Sequence, residues 1–459
     1  MTKTSLIFAQ EIFDRLHLMA RLKVETAGVL LVKPIFGADG SIKLLARDFL
    51  EVPEQCYLIR TFNALEISSD GYVHALKIAE NTGATPIWFH THPGNNPTPV
   101  MSIHDEKVNS QLTDLFRLRS GGAHYGALVI SPKENSFDFT GFIDDGITIR
   151  KIDRVLLIGE HIEIITHFGE ALYTDNSLFG RNILAFGGEI QHAIGELRIA
   201  IVGCGGTGSA VAEQLVRLGA RHFDIYDTDV LSISNVTRVY GSKPSDVELK
   251  KVDILGKHLL EIAPDSTINR IDGNILLESI AQQLVIADVI FGCTDDNAGR
   301  LVLSRIPTFF LIPVIDCAVL LKSDSSNRLT DINGRISILT PGSPCLVCIG
   351  RIDLDQAAAE RMDEHEHHAR QAEGYAPALP GVEPAVVSFT SMVASIAVSE
   401  FIERLVGYGP PSEPHEVLLR LHDREMSSIR YKSKPLHYCD PSSRKIGLGM
   451  TSQFLEVTW

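Results

Sequence analysis

The sequence predicts an α/β protein of two domains. An amino-terminal α+β domain is expected over residues 1–145, and a Rossmann-like, doubly wound domain over residues 176–459, with a connector at 146–175. Three observations predict this. The chain has 459 residues, more than one core usually serves, since single cores stop growing at about 250–300 residues. From about Asn176 the pattern becomes a regular alternation of apolar strand and amphipathic helix, which implies a parallel sheet with helices on both faces. Within that stretch a strand opens into Gly203-Cys204-Gly205-Gly206-Thr207-Gly208, a turn whose amides and helix start suit a phosphate.

Taken in order, Val24 to Pro34 and Pro86 to His90 read as strands, and Gly71 to Asn81 and His104 to Leu118 have helical apolar spacing. Ala123 to Ser131 reads as a further buried strand, and Asp144-Asp145-Gly146 as a turn. Val155 to Ile165 fits either an extension of the first domain or the connector. In the second domain Leu197 to Val202, His222 to Tyr226, Ala287 to Gly292 and Pro313 to Ala318 are expected strands, and Ser209 to Leu218 a helix. Ile306 to Leu321 is the most apolar stretch, interrupted by Pro307, Pro313 and Asp316. It is too short to span a bilayer and reads as strand, turn and strand in a core. The polar, His- and Glu-rich run from Glu360 to Glu373 reads as a crossover loop, bounded at 360–380.

Composition narrows the class. The apolar fraction is 44% and the formal charge is −15 with Lys and Arg scattered, which argues against nucleic acid, because phosphate binding needs a basic face. Met1 to Gln10 has one lysine and no sustained apolar run, so neither a secretory signal nor a membrane partner is expected. The seven cysteines are mostly dispersed, which fits a reducing cytoplasm.

The amino-terminal chemistry lies in His90-Thr91-His92-Pro93 and Ser102-Ile103-His104-Asp105. Two residues apart on a strand, His90 and His92 point to one face, and Asp105 adds an oxygen ligand early in the next helix. Three protein ligands leave a fourth tetrahedral position open, as in catalytic zinc sites. Glu25 on a separate strand can serve as general base, and Ser102 can donate to a developing oxyanion. His104 is expected on a helix surface and Cys56 in packing. This constellation, with its Glu25-Thr26-Ala27-Gly28 setting, resembles the JAMM/MPN (Mov34/PAD-1) isopeptidase family over most of residues 1–145. One departure is a slightly long loop from Pro93 to Ser102, with Pro97 and Pro99, which leaves every ligand in place.

The glycine turn alone first suggests a dinucleotide enzyme. The residues beyond it argue otherwise. Asp227 closes the next strand, where an acid binds ribose hydroxyls, and Asn235, Arg238 and Lys251 supply the donors and charge of a triphosphate site. A hydride enzyme has no use for that cluster. Asp295 ends a later strand, the usual ligand crevice, placed to hold magnesium. These residues resemble the ThiF/MoeB/HesA adenylyltransferases, relatives of ubiquitin-activating enzymes, over about 176–440. The resemblance implies ATP bound by Gly203, Gly205, Gly206, Gly208 and Asp227, phosphate contacts from Asn235, Arg238 and Lys251, and Mg2+ on Asp295. It also implies that Arg181, in Gly180-Arg181-Asn182-Ile183-Leu184, reaches the ATP of a second subunit, hence a homodimer. Pro380-Gly381-Val382 through Glu403 resembles the family's closing helix.

Two positions depart from the family. Val239 stands where Gln is usual, and the structural zinc knuckle keeps Cys345 and Cys348 but reduces its second pair to Cys439 near His437. The alternatives there are a Cys3His zinc site and a metal-free knuckle. Residues 349–438 hold no cysteine, so no thioester residue is expected in the crossover loop. Cys204 and Cys293 read as packing residues, leaving Cys317 as the substitute to weigh. The loop histidines His365, His367 and His368 read as solvated.

Together the resemblances imply a bifunctional enzyme of a prokaryotic ubiquitin-like pathway. One domain would trim or remove a ubiquitin-like protein with Zn2+, and the other would adenylate its C-terminal glycine with ATP and Mg2+. A conjugating enzyme would be a further partner, as in bacterial conjugation systems linked to phage defence. The alternative is a sulfur-carrier protein serving cofactor or metabolite synthesis. A carrier-binding scaffold with vestigial sites is opposed by the intact Glu25, Arg238 and Asp295.

Overall fold

The computed structural model describes residues 3–94, 99–122, 124–134, 136–166, 178–326, 328–362, 371, 385–410 and 412–459. By internal contacts the chain divides into two units, Met1–Leu172 with Gly447–Gly449, and Tyr173–Ile446 with Met450–Trp459.

The first unit runs β1 (Thr4–Ala9), α1 (Gln10–Ala20), β2 (Ala27–Phe36), β3 (Ile42–Glu51), β4 (Tyr57–Arg60), β5 (Leu65–Ile67), α2 (Asp70–Thr82), β6 (Thr85–Thr91), α3 (Ile103–Ser120), β7 (Tyr125–Pro132), β8 (Phe137–Asp144), β9 (Ile149–Lys151), β10 (Arg154–Ile158) and β11 (Ile162–Thr166). Nine of these strands form one sheet in the order β11-β10-β1-β3-β2-β6-β7-β8-β9, while β4 and β5 make a separate hairpin. Val155 to Ile165 therefore extends the first domain, supplying strands to this sheet. Alternation sorts the side chains into two cores. Leu30, Val32, Ile87 and Phe89 pack on one face with Phe13 and Leu16 of α1. Ala27, Val29, Leu31 and Trp88 pack on the other with Ala75 and Leu76 of α2 and Phe116 of α3. β1 and α1 have no counterpart among the elements expected from sequence. β1 pairs in parallel with both β3 and β10, and pairing with residues so far along the chain leaves no local signature.

The second unit runs α4 (Gly180–Phe186), α5 (Gly188–Glu196), β12 (Arg198–Val202), α6 (Gly206–Arg217), β13 (His222–Tyr226), α7 (Lys251–Ile262), β14 (Thr267–Ile271), α8 (Glu278–Ala281), β15 (Val289–Gly292), α9 (Asn297–Phe310), β16 (Val314–Ser323), β17 (Leu329–Leu339), α10 (Leu354–Ala359), α11 (Val387–Val406), β18 (Glu416–Arg420) and β19 (Glu425–Ile429). The sheet order is β14-β13-β12-β15-β16-β17-β18-β19. The first five strands are parallel and the last three antiparallel. This is a Rossmann-like sheet whose order reverses between β12 and β15, the place where such folds bind ligands.

Ile306 to Leu321 is not strand, turn and strand. Its first part completes α9, with Pro307 inside the helix. Proline removes one rung of the ladder, but Val302, Leu303, Ile306, Phe309 and Phe310 are each 0% exposed, and burial of that face holds the helix. Likewise Glu360, assigned to the crossover loop by its polar surroundings, directly follows α10 and is hydrogen bonded to α9. The described residues contain no helix long and apolar enough to cross a membrane.

A buried ionic network ties the antiparallel strands together. Glu416 is fully buried and accepts from Arg351 Nε at 2.8 Å, Arg351 Nη2 at 2.6 Å, Tyr431 Oη at 2.8 Å and Ser337 Oγ at 3.2 Å. Asp316, also 0% exposed, pairs with Arg300 at 3.3 Å and Arg335 at 3.4 Å. Burial alone would push the Glu416 carboxyl up, but the hydrogen bonds from Arg351 and Tyr431 and the Arg335 field hold it below its ordinary value. Glu416→Ala strands the guanidiniums and is expected to cost about 3–5 kcal/mol in chemical denaturation, with Glu416→Gln costing less. Because the folded value is depressed, this stabilisation is present above the unfolded carboxylate's pKa and is lost as pH falls through the folded one. The gap between wild type and Glu416→Gln should therefore narrow in acid.

Candidate functional site

In the first unit the site residues share the face that carries α2 and α3. Trp88 points there, so His90 and His92 follow by alternation. Ala27 of β2 is in register with His90 and also points there. Glu25, expected on a strand, instead lies on the segment just before β2, near enough for His92 and Asp105 to act on its carboxyl. Ser102 starts α3 through a capping box: its Oγ accepts the Asp105 N–H at 3.2 Å, and its own N–H donates to Asp105 Oδ2 at 2.6 Å. That box aims Asp105 at the histidines. His90 Nε2 lies 3.1 Å from His92 Nε2 and 3.1 Å from Asp105 Oδ1, and His92 Nε2 lies 3.6 Å from Asp105 Oδ2. Two imidazole nitrogens and a carboxylate oxygen within 4.8 Å of one another form a donor set that suits zinc.

The electrostatics agree with that chemistry. Burial pushes the His90 imidazole down, favouring the neutral ring that ligates. Burial would raise Asp105, but hydrogen bonds from His90, His92 and the Ser102 amide hold it well below the usual carboxylate range. Burial raises the Glu25 carboxyl above its ordinary value, with His92 lowering it and Asp105 raising it. The Glu25 backbone is fixed on both sides, by its N–H to Thr61 O at 2.8 Å and by Arg60 Nε to its carbonyl at 3.2 Å. An open cleft of about 880 Å3 is lined by Arg21, Lys23, Phe62, Pro93, Gly94 and Lys133 among others; Pro93 follows His92 and Lys23 lies two residues before Glu25 in sequence. His104 is exposed and Cys56 is buried in the α2/α3 core. Pro97, in the loop before Ser102, lies outside the described residues.

In the second unit the glycine turn crosses from β12 to α6. Gly203 has φ +95° and lies so close to Cys293 that a Cβ would stand 2.6 Å from its carbonyl oxygen. A Cβ on Gly208 would stand 1.8 Å from Gly203 O. By contrast nothing lies within 4 Å of a Cβ built on Gly205. Gly206 lies under the Cγ and Cδ atoms of Arg238, at 3.2 Å from a built Cβ. Asp227, at the end of β13, accepts the Cys204 N–H at 2.7 Å and the Asp229 N–H at 2.8 Å. Burial raises its carboxyl, opposed by the Lys251 charge and those two amides. Lys251 opens α7 at 9% exposure and pairs with Asp229 at 2.6 Å. Asn235 caps its own short turn, accepting from Ser232 N at 3.2 Å, and Arg238 Nη1 donates to Ser234 O at 3.1 Å. Val239 is buried with Leu231 and Ile254, so an apolar residue suits the position.

Asp295 is exposed on the turn between β15 and α9. Arg181 is exposed on α4, a helix with no buried residue. Cys204 and Cys317 are buried. A hydrogen bond with Cys293 and burial push the Cys317 thiol well up, which makes it a poor nucleophile. His365, His367, His368 and Pro380 to Val382 lie outside the described residues. Local sequence carries no signal for the role of Asp229 in holding Lys251, or for the contact of Glu360 with α9.

Cys345, Cys348, His437 and Cys439 converge in the same unit. His437 Nδ1 lies 3.4 Å from Cys345 Sγ, 3.3 Å from Cys348 Sγ and 3.3 Å from Cys439 Sγ, and the last two sulfurs are 3.6 Å apart. A zinc tetrahedron with bonds of about 2.0–2.3 Å has edges of about 3.3–3.8 Å, so the four donors fit the ion. The hydrogen bond from Cys439 pulls Cys345 down to about 4 against burial, and the same bond pushes Cys439 up.

A profile of the ThiF family matches residues 179–440. Molybdopterin-synthase adenylyltransferase of Escherichia coli (strain K12) is 26% identical over 248 residues, covering 52% of this chain and 86% of that protein. Ubiquitin-like modifier-activating enzyme 5 of Bombyx mori is 32% identical over 179 residues, 38% of this chain and 45% of that protein, so the chain spans under half of that relative's length. Among solved structures, E. coli MccB with ATP is 17% identical, covers 58% of this chain and 75% of its own, and gives a TM-score of 0.46. Residues 1–178 lie outside the family match.

The glycines separate two kinds of constraint. Gly208→Ala forces apart the backbone of the β12–α6 turn and is expected to destabilise by about 2–4 kcal/mol. Gly205→Ala meets open space and loses only the N-cap preference for glycine, so it should cost about 1 kcal/mol or less. Denaturant unfolding of both variants measures the contrast.

Proposed function

Because this chain belongs to the ThiF family through residues 179–440, we propose that its second unit adenylates the C-terminal glycine of a ubiquitin-like or sulfur-carrier protein with ATP. We further propose that its first unit is a JAMM-type zinc isopeptidase that trims the same tail or removes it from targets. One observation carries the reading. Asp227, Arg238 and Lys251 gather around the N-terminal turn of α6 at the sheet's switch point, with Asp295 exposed at the neighbouring strand end.

Asp227 binds the ribose of ATP, and the α6 amides, Arg238, Lys251 and Asn235 take the phosphates. The tail's carboxylate oxygen attacks the α-phosphorus, the bond to the pyrophosphate oxygen breaks, and AMP remains on the carboxyl group. Arg238 and Lys251 offset the charge that builds on the phosphorus oxygens, and the Asp229 pairing keeps the Lys251 ammonium aimed. Asp295 would hold the magnesium that accompanies ATP, which would offset phosphate charge. α4 leaves Leu184 88% exposed and Leu178, just before it, 75% exposed, which favours packing against a second copy, with Arg181 reaching that copy's nucleotide.

In the first unit His90, His92 and Asp105 would hold zinc, which would supply Lewis acidity when bound. Glu25, made more basic by burial, takes the proton of the attacking water and passes it to the leaving amine. Ser102, whose Oγ already accepts a helix amide, keeps its own proton to donate to the oxyanion. The cleft lined by Pro93 and Gly94, which follow His92 in sequence, would admit an extended tail. A second zinc on Cys345, Cys348, His437 and Cys439 is structural, and those thiols require a reducing compartment, taken as the cytoplasm. Burial of Cys317 and the absence of cysteine from 349–438 favour direct handover of the adenylate. The acceptor is then a conjugating enzyme or, in the second reading, a sulfur donor.

Pyrophosphate exchange with carriers ending in glycine tests adenylation. Wild type should exchange, and Asp295→Ala or Arg238→Ala should lose at least about 100-fold while cleavage persists. Mixing Arg181→Ala with Asp295→Ala chains should restore part of the exchange. Glu25→Ala should keep its zinc and lose cleavage. Metal analysis should find two zinc ions per chain, His90→Ala removing one and Cys348→Ser the other. A wild type without exchange on any such carrier would defeat the adenylation reading, and a zinc-free first unit would defeat the peptidase reading.

A further inference from the structure

The first turn of α9 is gripped by a side chain from outside the helix. Glu360 Oε2 accepts the backbone N–H of Ala298 at 2.8 Å. Its Oε1 accepts from Asn297 Nδ2 and Gln356 Nε2, each at 3.4 Å. Asn297 Oδ1 in turn accepts the Asp353 N–H at 3.0 Å, and Asp353 caps α10. Residues 353–360 thus clamp the first two positions of α9. Ala298 is fully buried with Glu360 in place, and a buried amide left without an acceptor is costly. The helix dipole adds to the preference for a carboxylate there.

What this clamp fixes is the turn Cys293–Asp296. On its strand side Cys293 O is pressed against Gly203. On its helix side Asp296 caps Gly299 N–H, and Thr294 Oγ1 donates to Asp296 Oδ1. Asp295 sits at the exposed apex, with no hydrogen bond of its own among the described residues. Among the described residues its position is set by the two ends of the turn, and the helix end is held by the Asp296 cap together with Glu360.

We infer that Glu360 is a positioning residue that holds the Asp295 turn in place for the nucleotide's metal ion. This rests on the adenylation reading above. The hydrogen bonds of Glu360 go to protein groups, Ala298 N–H, Asn297 and Gln356. Glu360 acts through the Ala298 amide and Asn297.

The test compares full-length wild type, Glu360→Ala and Glu360→Gln. The glutamine variant keeps an oxygen acceptor for the amide. In pyrophosphate exchange titrated with Mg2+, Glu360→Ala should need about tenfold more Mg2+ for half-maximal rate, while Glu360→Gln stays within about twofold. Hydrogen–deuterium exchange should be faster across residues 293–300 in Glu360→Ala alone, with protection elsewhere unchanged. Equal Mg2+ dependence in wild type and Glu360→Ala overturns this inference and leaves adenylation standing. Equal impairment of both variants overturns it also, since a retained acceptor would then have failed to hold the turn. A wild type that exchanges no pyrophosphate removes the adenylation reading and this inference with it, whereas unaltered deuterium uptake in Glu360→Ala sinks the clamp alone.

Discussion

The carboxylate of Asp227 is the constraint on which the second unit's site depends. It accepts the Cys204 and Asp229 amides and feels the charge of Lys251. The two hydrogen bonds join the glycine turn to the end of β13, and the Lys251 charge reaches from the start of α7. Burial raises the carboxyl, and these three influences oppose it. With them, one side chain sets the distance between the helix N-terminus and the cations that Arg238 and Lys251 present. Arg238 extends that order, because its aliphatic stem lies across Gly206, so the guanidinium and the turn cannot move independently.

The first unit reaches a comparable precision by a different route. Its alignment comes from strand alternation. Ala27, Trp88 and, by the same period, His90 and His92 lie on one face because β2 and β6 pair in fixed register. A slip of one residue would send the imidazoles to the opposite core. Both faces of this sheet are packed, by α1 on one side and by α2 and α3 on the other, and that packing specifies the register. The Ser102 capping box then fixes the third donor at the helix start. The same hydrogen bonds that begin α3 also orient Asp105, so helix formation and site assembly are one event.

Local spacing made much of this legible. His90 and His92 could be placed on a common face from period two, and Gly203 to Gly208 on a strand-to-helix turn. Cys345 and Cys348 carried metal spacing in the sequence itself. What spacing could not reveal was partnership across long separations. β1 needs β3 and β10 to exist as a strand, and neither neighbour is near it in sequence. Pro307 read as an interruption because its cost is local, while the burial that outweighs it is tertiary. Glu360 stood in a polar run and read as part of the crossover loop. Its partner amide lies 62 residues away, and no composition rule connects the two. Asp316 was read as a break in an apolar stretch, yet it is wholly buried because Arg300 and Arg335 reach it.

The two donor clusters differ in a way that bears on their chemistry. Cys345, Cys348, His437 and Cys439 offer four ligand atoms, and four fill a tetrahedron. A closed set of soft donors binds zinc tightly and leaves no position for a substrate, which is the pattern of a structural site. His90, His92 and Asp105 offer three. One position stays open, and Glu25 lies close enough for His92 and Asp105 to alter its basicity. An open position beside a carboxylate whose pKa is raised is what proton transfer at a metal requires. The count of donors, taken with the nearby Glu25 carboxyl, is therefore the feature that would set a fastening apart from a reaction centre under the proposed reading.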